Sequence, residues 1–274
     1  MTAPPVVLSI AGFDPSSGAG ISADVKTAAA LGCYAITCIT GLTVQSTQGV
    51  FEVEPVAPHI VRETLIRLRE DFEIAAVRIG MLGSGGVAEE VAGFLERERL
   101  PNVVLDPVLR SSSGAALVDR SGMEALGRRL LPLADLITPN VQEAALLTGM
   151  DPPLPGASWD TVGDSILRAA ARLHQLGAKG VLITGGHLSE AVDFLSVQQP
   201  DGTRLTREFP GKHLDSRSTH GTGCALATGL ACLLAQGVEL TAAVAEAKEY
   251  VREAIRRAEP IGKGVGPLQH LYRR

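Results

Sequence analysis

Short β-branched runs alternate along the chain with longer alanine-rich stretches, whose apolar residues recur at helical spacing. "VVLSIAG" (6–12) predicts a buried strand, and "ADVKTAAALG" (23–32) a helix closed by Gly32. "YAITCIT" (34–40) predicts the next strand. In "HIVRETLIRLRED" (59–71), Ile60, Thr64 and Arg67 sit beside Val61, Leu65 and Leu68, which is a helical period. "AAVRIG" (75–80), "NVVLDPV" (102–108) and "ADLITPN" (134–140) predict further strands, each ending in a turn. Val162, Ile166, Leu173 and Leu176 make one apolar face of a helix that Gly177 closes, and "VLIT" (181–184) follows as a strand. From 192 to 209 the pattern is β only, with Asp201–Gly202 marking a hairpin. Two helices, at about 222–236 and 239–258, end the chain.

This β-α-β rhythm predicts an α/β fold with a mostly parallel sheet covered by helices on both faces. No repeat or linker interrupts it, so residues 1–274 read as a single domain. Ligands on such sheets bind beyond the carboxyl ends of the strands. Asp14 and Gly18–Gly20 follow the first strand, Gln45 the second, and Met81 the third. Asp106 follows the fourth, Asn140–Glu143 the fifth, and Gly185–Gly186 the sixth.

Composition narrows the function classes. With 274 residues, 45% of them hydrophobic, the chain can bury one large core. The formal net charge is −5, and basic residues cluster no further than pairs such as Arg128–Arg129. That argues against nucleic acid or an anionic membrane as partner, while a small anion stays compatible with local charges. Cys33, Cys38, Cys224 and Cys232 form no CxxC pair, so zinc is not expected, and free thiols fit a reducing cytoplasm. "MTAPPVVLSIAG" lacks the basic start and long apolar core of a signal peptide. No stretch approaches the roughly 18 uninterrupted apolar residues of a membrane span.

Candidate chemistry concentrates in "SRSTHGTGCALATGLACLLAQG" (216–237). Here "HGTGC" opens an apolar helix, and its glycines allow the first backbone N–H groups to converge as an anion nest that suits a phosphate. A plain glycine-rich turn would look the same. Cys224 favours the nest, because a thiol at a helix N-terminus is expected to have a lowered pKa. Cys232 reads as an ordinary core cysteine. No G-K-[ST] is present, which excludes a P-loop. "GAGISA" (18–23) imitates a dinucleotide fingerprint, but Pro15 and two serines separate it from the strand, and "TGLTVQ" offers no acid for a ribose. Asp106 and Glu143, at adjacent strand ends, could hold a Mg²⁺ through water, or could be a turn cap and a first-turn acid.

Seven segments occur in order across almost the whole chain: "AGFDPSSGAGISADVKT", "LTVQSTQGV", "IGMLG", "VVLDPV", "LITPNVQEA", "GGH" and "THGTGC". Together they closely resemble the hydroxymethylpyrimidine/phosphomethylpyrimidine kinases of thiamine biosynthesis, within the ribokinase-like superfamily. The resemblance implies a three-layer αβα sandwich, usually a homodimer. It also implies ATP-dependent phosphorylation, with Mg²⁺, of 4-amino-5-hydroxymethyl-2-methylpyrimidine and commonly of its monophosphate.

By the same resemblance Gln45 is the amide that reads the pyrimidine, which suits a group offering one donor and one acceptor face. Gly12, Ala19, Met81 and Val108 line its pocket, with Asp24 beside it. Gly221, Gly223 and Cys224 form the anion hole, where Cys224 stands at the position of the base that other members of the superfamily supply as Asp. Asn140, Thr184, Gly186 and Thr222 face the nucleotide, and Asp106 and Glu143 the metal. The family commonly has Lys where this chain has Thr184, so either another cation, such as Lys212 or Lys263, substitutes or turnover is slow. Phe13 and Ser17 are smaller departures. Two alternatives remain: a pyridoxal/pyridoxine kinase, and a non-catalytic pyrimidine- or nucleotide-binding relative.

Overall fold

Strand β1 (Val6–Phe13) sits mid-sheet because both of its faces are apolar: Leu8 and Ile10 enter one core, and Val7 the other. The protein is seen here in a computed structural model that describes residues 3–111, 114 and 117–273. Helix α1 (Gly20–Ala30) leads to β2 (Tyr34–Ser46), β3 (Gly49–Pro55) and α2 (Pro58–Asp71). Next come β4 (Ile74–Ile79), α3 (Gly85–Glu98), β5 (Val103–Leu105) and α4 (Arg120–Ala125), the last running into a π-helical turn (Leu126–Leu130). The chain continues through β6 (Leu136–Ile137), α5 (Val141–Thr148), α6 (Trp159–Gln175), β7 (Gly180–Ile183), β8 (Asp193–Gln198) and β9 (Arg204–Phe209). It closes with α7 (Thr222–Ala235) and α8 (Leu240–Arg256).

The nine strands form one sheet in the order β3-β2-β1-β4-β5-β6-β7-β8-β9. Pairs from β2 through β1 to β7 are parallel, while β3, β8 and β9 run antiparallel to their neighbours. Buried residues of α1, α7 and α8 pack on one face, and those of α2, α3, α5 and α6 on the other. This is the expected three-layer α/β sandwich with its late hairpin. Chain order reverses beside β1, which is flanked by β2 and β4, so a crevice opens beyond the carboxyl ends of β1 and β4.

Several elements differ from the sequence reading. Strand β2 extends past 40 to Ser46 because β3, an element the pattern did not reveal, pairs with it from Gly41↔Pro55 to Ser46↔Gly49. Helix α3 was also missed: its "GGVAEE" start lacks an apolar period, although Ser84 caps it by accepting from Val87 N–H. Strand β5 is shorter than 102–108, since Pro107 has no N–H to continue a ladder. Strand β6 is shorter than 134–140, because Pro139–Asn140 already turns into α5. Helix α1 begins at Gly20, ahead of the expected 23. Of the glycine-containing loop 110–119, whose sequence suits a lid but more readily a plain solvated loop, residues 112, 113, 115 and 116 lie outside the described residues.

Candidate active site

Helix α7 presents its N-terminus to the crevice. Its first helical hydrogen bond runs from Ala225 N–H to Gly221 O at 2.9 Å, so the N–H groups of Gly223 and Cys224 precede it and point outward from the helix end. Gly221 caps the helix at φ 86°, a left-handed conformation suited to glycine, and a methyl there would overlap the carbonyl of Gly18. Thr222 Oγ1 donates to Thr219 O at 2.6 Å, which stiffens the turn. A side chain on Gly223 would meet open space.

The loop facing this end is organised by Asp14. Its carboxylate accepts from Ser16 N–H at 2.8 Å, Ala19 N–H at 2.9 Å and Gly18 N–H at 3.2 Å, and His220 Nε2 lies 2.7 Å away. Burial pushes the Asp14 carboxyl up, but the hydrogen bonds from His220 and Ser16 outweigh it and hold it below the usual range. Gln45 Nε2 lies 3.2 Å from the same His220 nitrogen, and Thr43 Oγ1 donates to Gln45 Oε1 at 3.1 Å. Gln45 and Ala19 are therefore linked through His220 and Asp14. Gly12 and Met81 pack together, with the Met81 methyl lying over Gly12, while Thr40 Oγ1 holds Met81 by donating to its carbonyl at 2.5 Å. Val108 lies half-buried beyond β5.

Two expectations need correction. Asp24 has no exposed surface: Ser9 and Thr228 hydroxyls donate to it at 2.5 and 2.7 Å, and Arg78 pairs with it at 3.2 Å. Its oxygens are taken up by these protein donors, so it offers no surface to a substrate. Cys224 is the second. Cys224 is half-buried, and desolvation of its sulfur pushes the thiol up to about 11, with Arg78 and the Gly20 N–H opposing and Asp106 and Asp24 reinforcing the rise. The helix end alone does not lower it, because two carboxylates face it.

Asp106 follows β5, and its Oδ2 accepts from Arg78 Nη2 at 2.7 Å. Burial raises its carboxyl to about 6, with Arg78 pulling down and Asp24 pushing up. Glu143 sits in the first turn of α5, where it closes a capping box: Asn140 N–H donates to Glu143 Oε2 and Glu143 N–H to Asn140 Oδ1, each at 2.9 Å. Burial, then the charge of Asp106, pushes Glu143 up to about 8. Two buried carboxylates that repel each other make a donor set that a divalent cation would relieve. Among the described residues no cluster of three or more His, Cys, Asp or Glu side chains could cage a metal, so water and phosphate oxygens would have to complete the shell. Thr184 joins this corner by a β-bridge to Asn140, with its N–H donating to Pro139 O at 2.9 Å. Gly186 is exposed in the turn after β7.

Residues 14–269 match the family model for phosphomethylpyrimidine kinase. The chain belongs to the phosphomethylpyrimidine kinase family. It is 41% identical to the hydroxymethylpyrimidine/phosphomethylpyrimidine kinase of Haemophilus influenzae, covering 96% of each chain. It is 42% identical to the thiamine biosynthesis bifunctional protein of Geobacter sulfurreducens over 97% of this chain, but spans only 52% of that protein. Among solved structures it resembles an ADP complex of Bacillus subtilis pyridoxal kinase, with TM-score 0.84, 33% identity and 97% of each chain covered.

Against the phosphomethylpyrimidine kinase pattern, Lys212 and Lys263, suggested as replacements for the lysine absent at 184, are both exposed. The cation facing Cys224 is Arg78, which the sequence reading passed over. Its signal was a lone charge inside the apolar strand "AAVRIG". His220 and Asp14 were legible as motif members but not as the pair that joins both loops.

Proposed function

We propose that this chain transfers the γ-phosphoryl group of ATP to the hydroxymethyl oxygen of 4-amino-5-hydroxymethyl-2-methylpyrimidine, and then phosphorylates the monophosphate. The observation that carries this reading is the open N-terminus of α7, with Cys224 beside the Asp106–Glu143 pair at the crevice where chain order reverses. The amide rim of Gln45 would take the aminopyrimidine edge, and Gly12, Ala19, Met81 and Val108 its ring. Asn140, Thr184, Gly186 and Thr222 would face the nucleotide. As the new O–P bond forms, the bond from γ-phosphorus to the bridging oxygen breaks and ADP leaves. The Gly221–Cys224 backbone hydrogens hold the charge that develops, and the acceptor hydroxyl proton passes to the Cys224 sulfur in its thiolate form, so that turnover follows the thiolate fraction. A sulfur of high proton affinity is a strong acceptor once ionised, and a loose transition state asks little of the base. Mg²⁺ held by Asp106 and Glu143 would neutralise phosphate charge during transfer.

A pyridoxal kinase reading is favoured by one observation, the likeness to the Bacillus subtilis enzyme. ADP release measured with hydroxymethylpyrimidine, its monophosphate and pyridoxal side by side decides between them. The proposal expects kcat/KM for hydroxymethylpyrimidine to exceed that for pyridoxal at least tenfold, about 1.4 kcal/mol of discrimination. The reverse order would establish pyridoxal as substrate, and tight binding without ADP release a non-catalytic relative.

Two broader expectations accompany this reading. Among the described residues no helix is long and apolar enough to cross a membrane, and free Cys33, Cys38, Cys224 and Cys232 support a reducing cytoplasm. The homodimer is supported by exposed Leu42 and Val44 on β2 and exposed Phe51 on the paired strand β3.

A further inference from the structure

Arg78 lies on β4 between Val77 and Ile79, and its side chain is fully enclosed. A guanidinium at that depth persists only where partners surround it. Nη1 donates to Asp24 Oδ2 at 3.2 Å and Nη2 to Asp106 Oδ2 at 2.7 Å. The third neighbour is Cys224, whose sulfur it faces from the sheet while Gly20 N–H reaches that sulfur from α1. Gly80 makes room for the fork, since a methyl there would overlap Nη1. Asp24 is itself fixed by Ser9 and Thr228, so one side of the array is anchored in the core. The other side carries the two residues placed at the phosphate corner. Nε finds no hydrogen-bond partner, so the fork keeps its aim at the expense of a buried unsatisfied donor.

We propose that Arg78 is a positioning residue for phosphoryl transfer: its two-armed guanidinium fixes Asp106 beside the Cys224 sulfur, with Asp24 as anchor. The inference rests on the roles given above to Cys224 and Asp106. The charged groups facing the sulfur are Arg78 from β4, Asp24 from α1 and Asp106 after β5, with Glu143 of α5 beyond Asp106. Lysine keeps the charge but offers a single ammonium that cannot bridge two carboxylates as a planar fork does.

The test compares wild type with Arg78→Lys and with the double variant Arg78→Met/Asp24→Asn, which removes the deeper of the two buried carboxylates that methionine would leave unpaired. Thermal melts, kcat and KM with MgATP and hydroxymethylpyrimidine, and the rate of Cys224 alkylation by iodoacetamide are measured for each. Both variants are expected to fold and to keep KM within about twofold, while kcat falls about 10²-fold, the scale of a 1 Å misplacement. Alkylation, which reads the sulfur without turnover, is expected to change severalfold. Wild-type kcat in Arg78→Lys, or a rise in KM with kcat unchanged, would overturn the proposal. So would a kcat loss that follows the melting temperature alone while alkylation stays at the wild-type rate. If Arg78→Lys stays slow while Cys224→Ala turns over normally, the base assignment fails and Arg78 remains the holder of Asp106.

Discussion

A side chain at position 221 would have to sit at φ 86° against the carbonyl of Gly18. The left-handed conformation alone costs an L-residue about 1–2 kcal/mol. Gly221→Ala is therefore expected to lower the melting temperature by at least about 2–4 °C and to reduce turnover about 10²-fold. A variant as active and as stable as wild type would separate the nest from the chemistry. Cys224 gives a second prediction at this scale. With the thiol pushed up to about 11, its alkylation rate should climb through pH 9 and 10 without a neutral plateau. A midpoint below the usual thiol value of about 8.5 would restore the helix-end effect that the sequence suggested. The sequence shows a cysteine at a helix start. It does not show that Asp24 and Asp106, 200 and 118 positions earlier (224 − 24 and 224 − 106), come to face it.

At the scale of elements, α7 was legible because its alanine and leucine run is nearly all buried, from Ala225 to Leu233. Strand β4 was legible too, yet Arg78 within it was not, since a strand pattern cannot say which helix will cover which face. The β2–β3 pair was read only in part. Residues Leu42, Val44 and Phe51 stay exposed there, so no inward periodicity marks the extension. That same exposure supports the proposed dimer, because large apolar side chains exposed on two paired strands are usually covered. Phe51→Glu is expected to shift the chain from dimer to monomer in sedimentation equilibrium, with the melting temperature of the monomer little changed. A variant that sediments as wild type would remove this face as the interface.

At the scale of the whole molecule, β1 with β2 on one side and β4 on the other brings four distant segments to one crevice: the Asp14 loop, Gln45, the Asp106–Glu143 pair and the N-terminus of α7. The strand order explains why seven short motifs spread across the chain identify the family, although each alone would be weak. It also explains why the joining residues escaped notice, since Asp14 meets His220 across 206 positions and Asp24 meets Thr228 across 204. The most direct measurement of the central claim is a crystal structure with Mg²⁺, a non-hydrolysable ATP analogue and hydroxymethylpyrimidine. The account predicts γ-phosphate oxygens within hydrogen-bond distance of the Gly223 and Cys224 backbone nitrogens, with the pyrimidine hydroxyl beside the sulfur. A triphosphate seated elsewhere on the sheet, with α7 capped only by water, would contradict it.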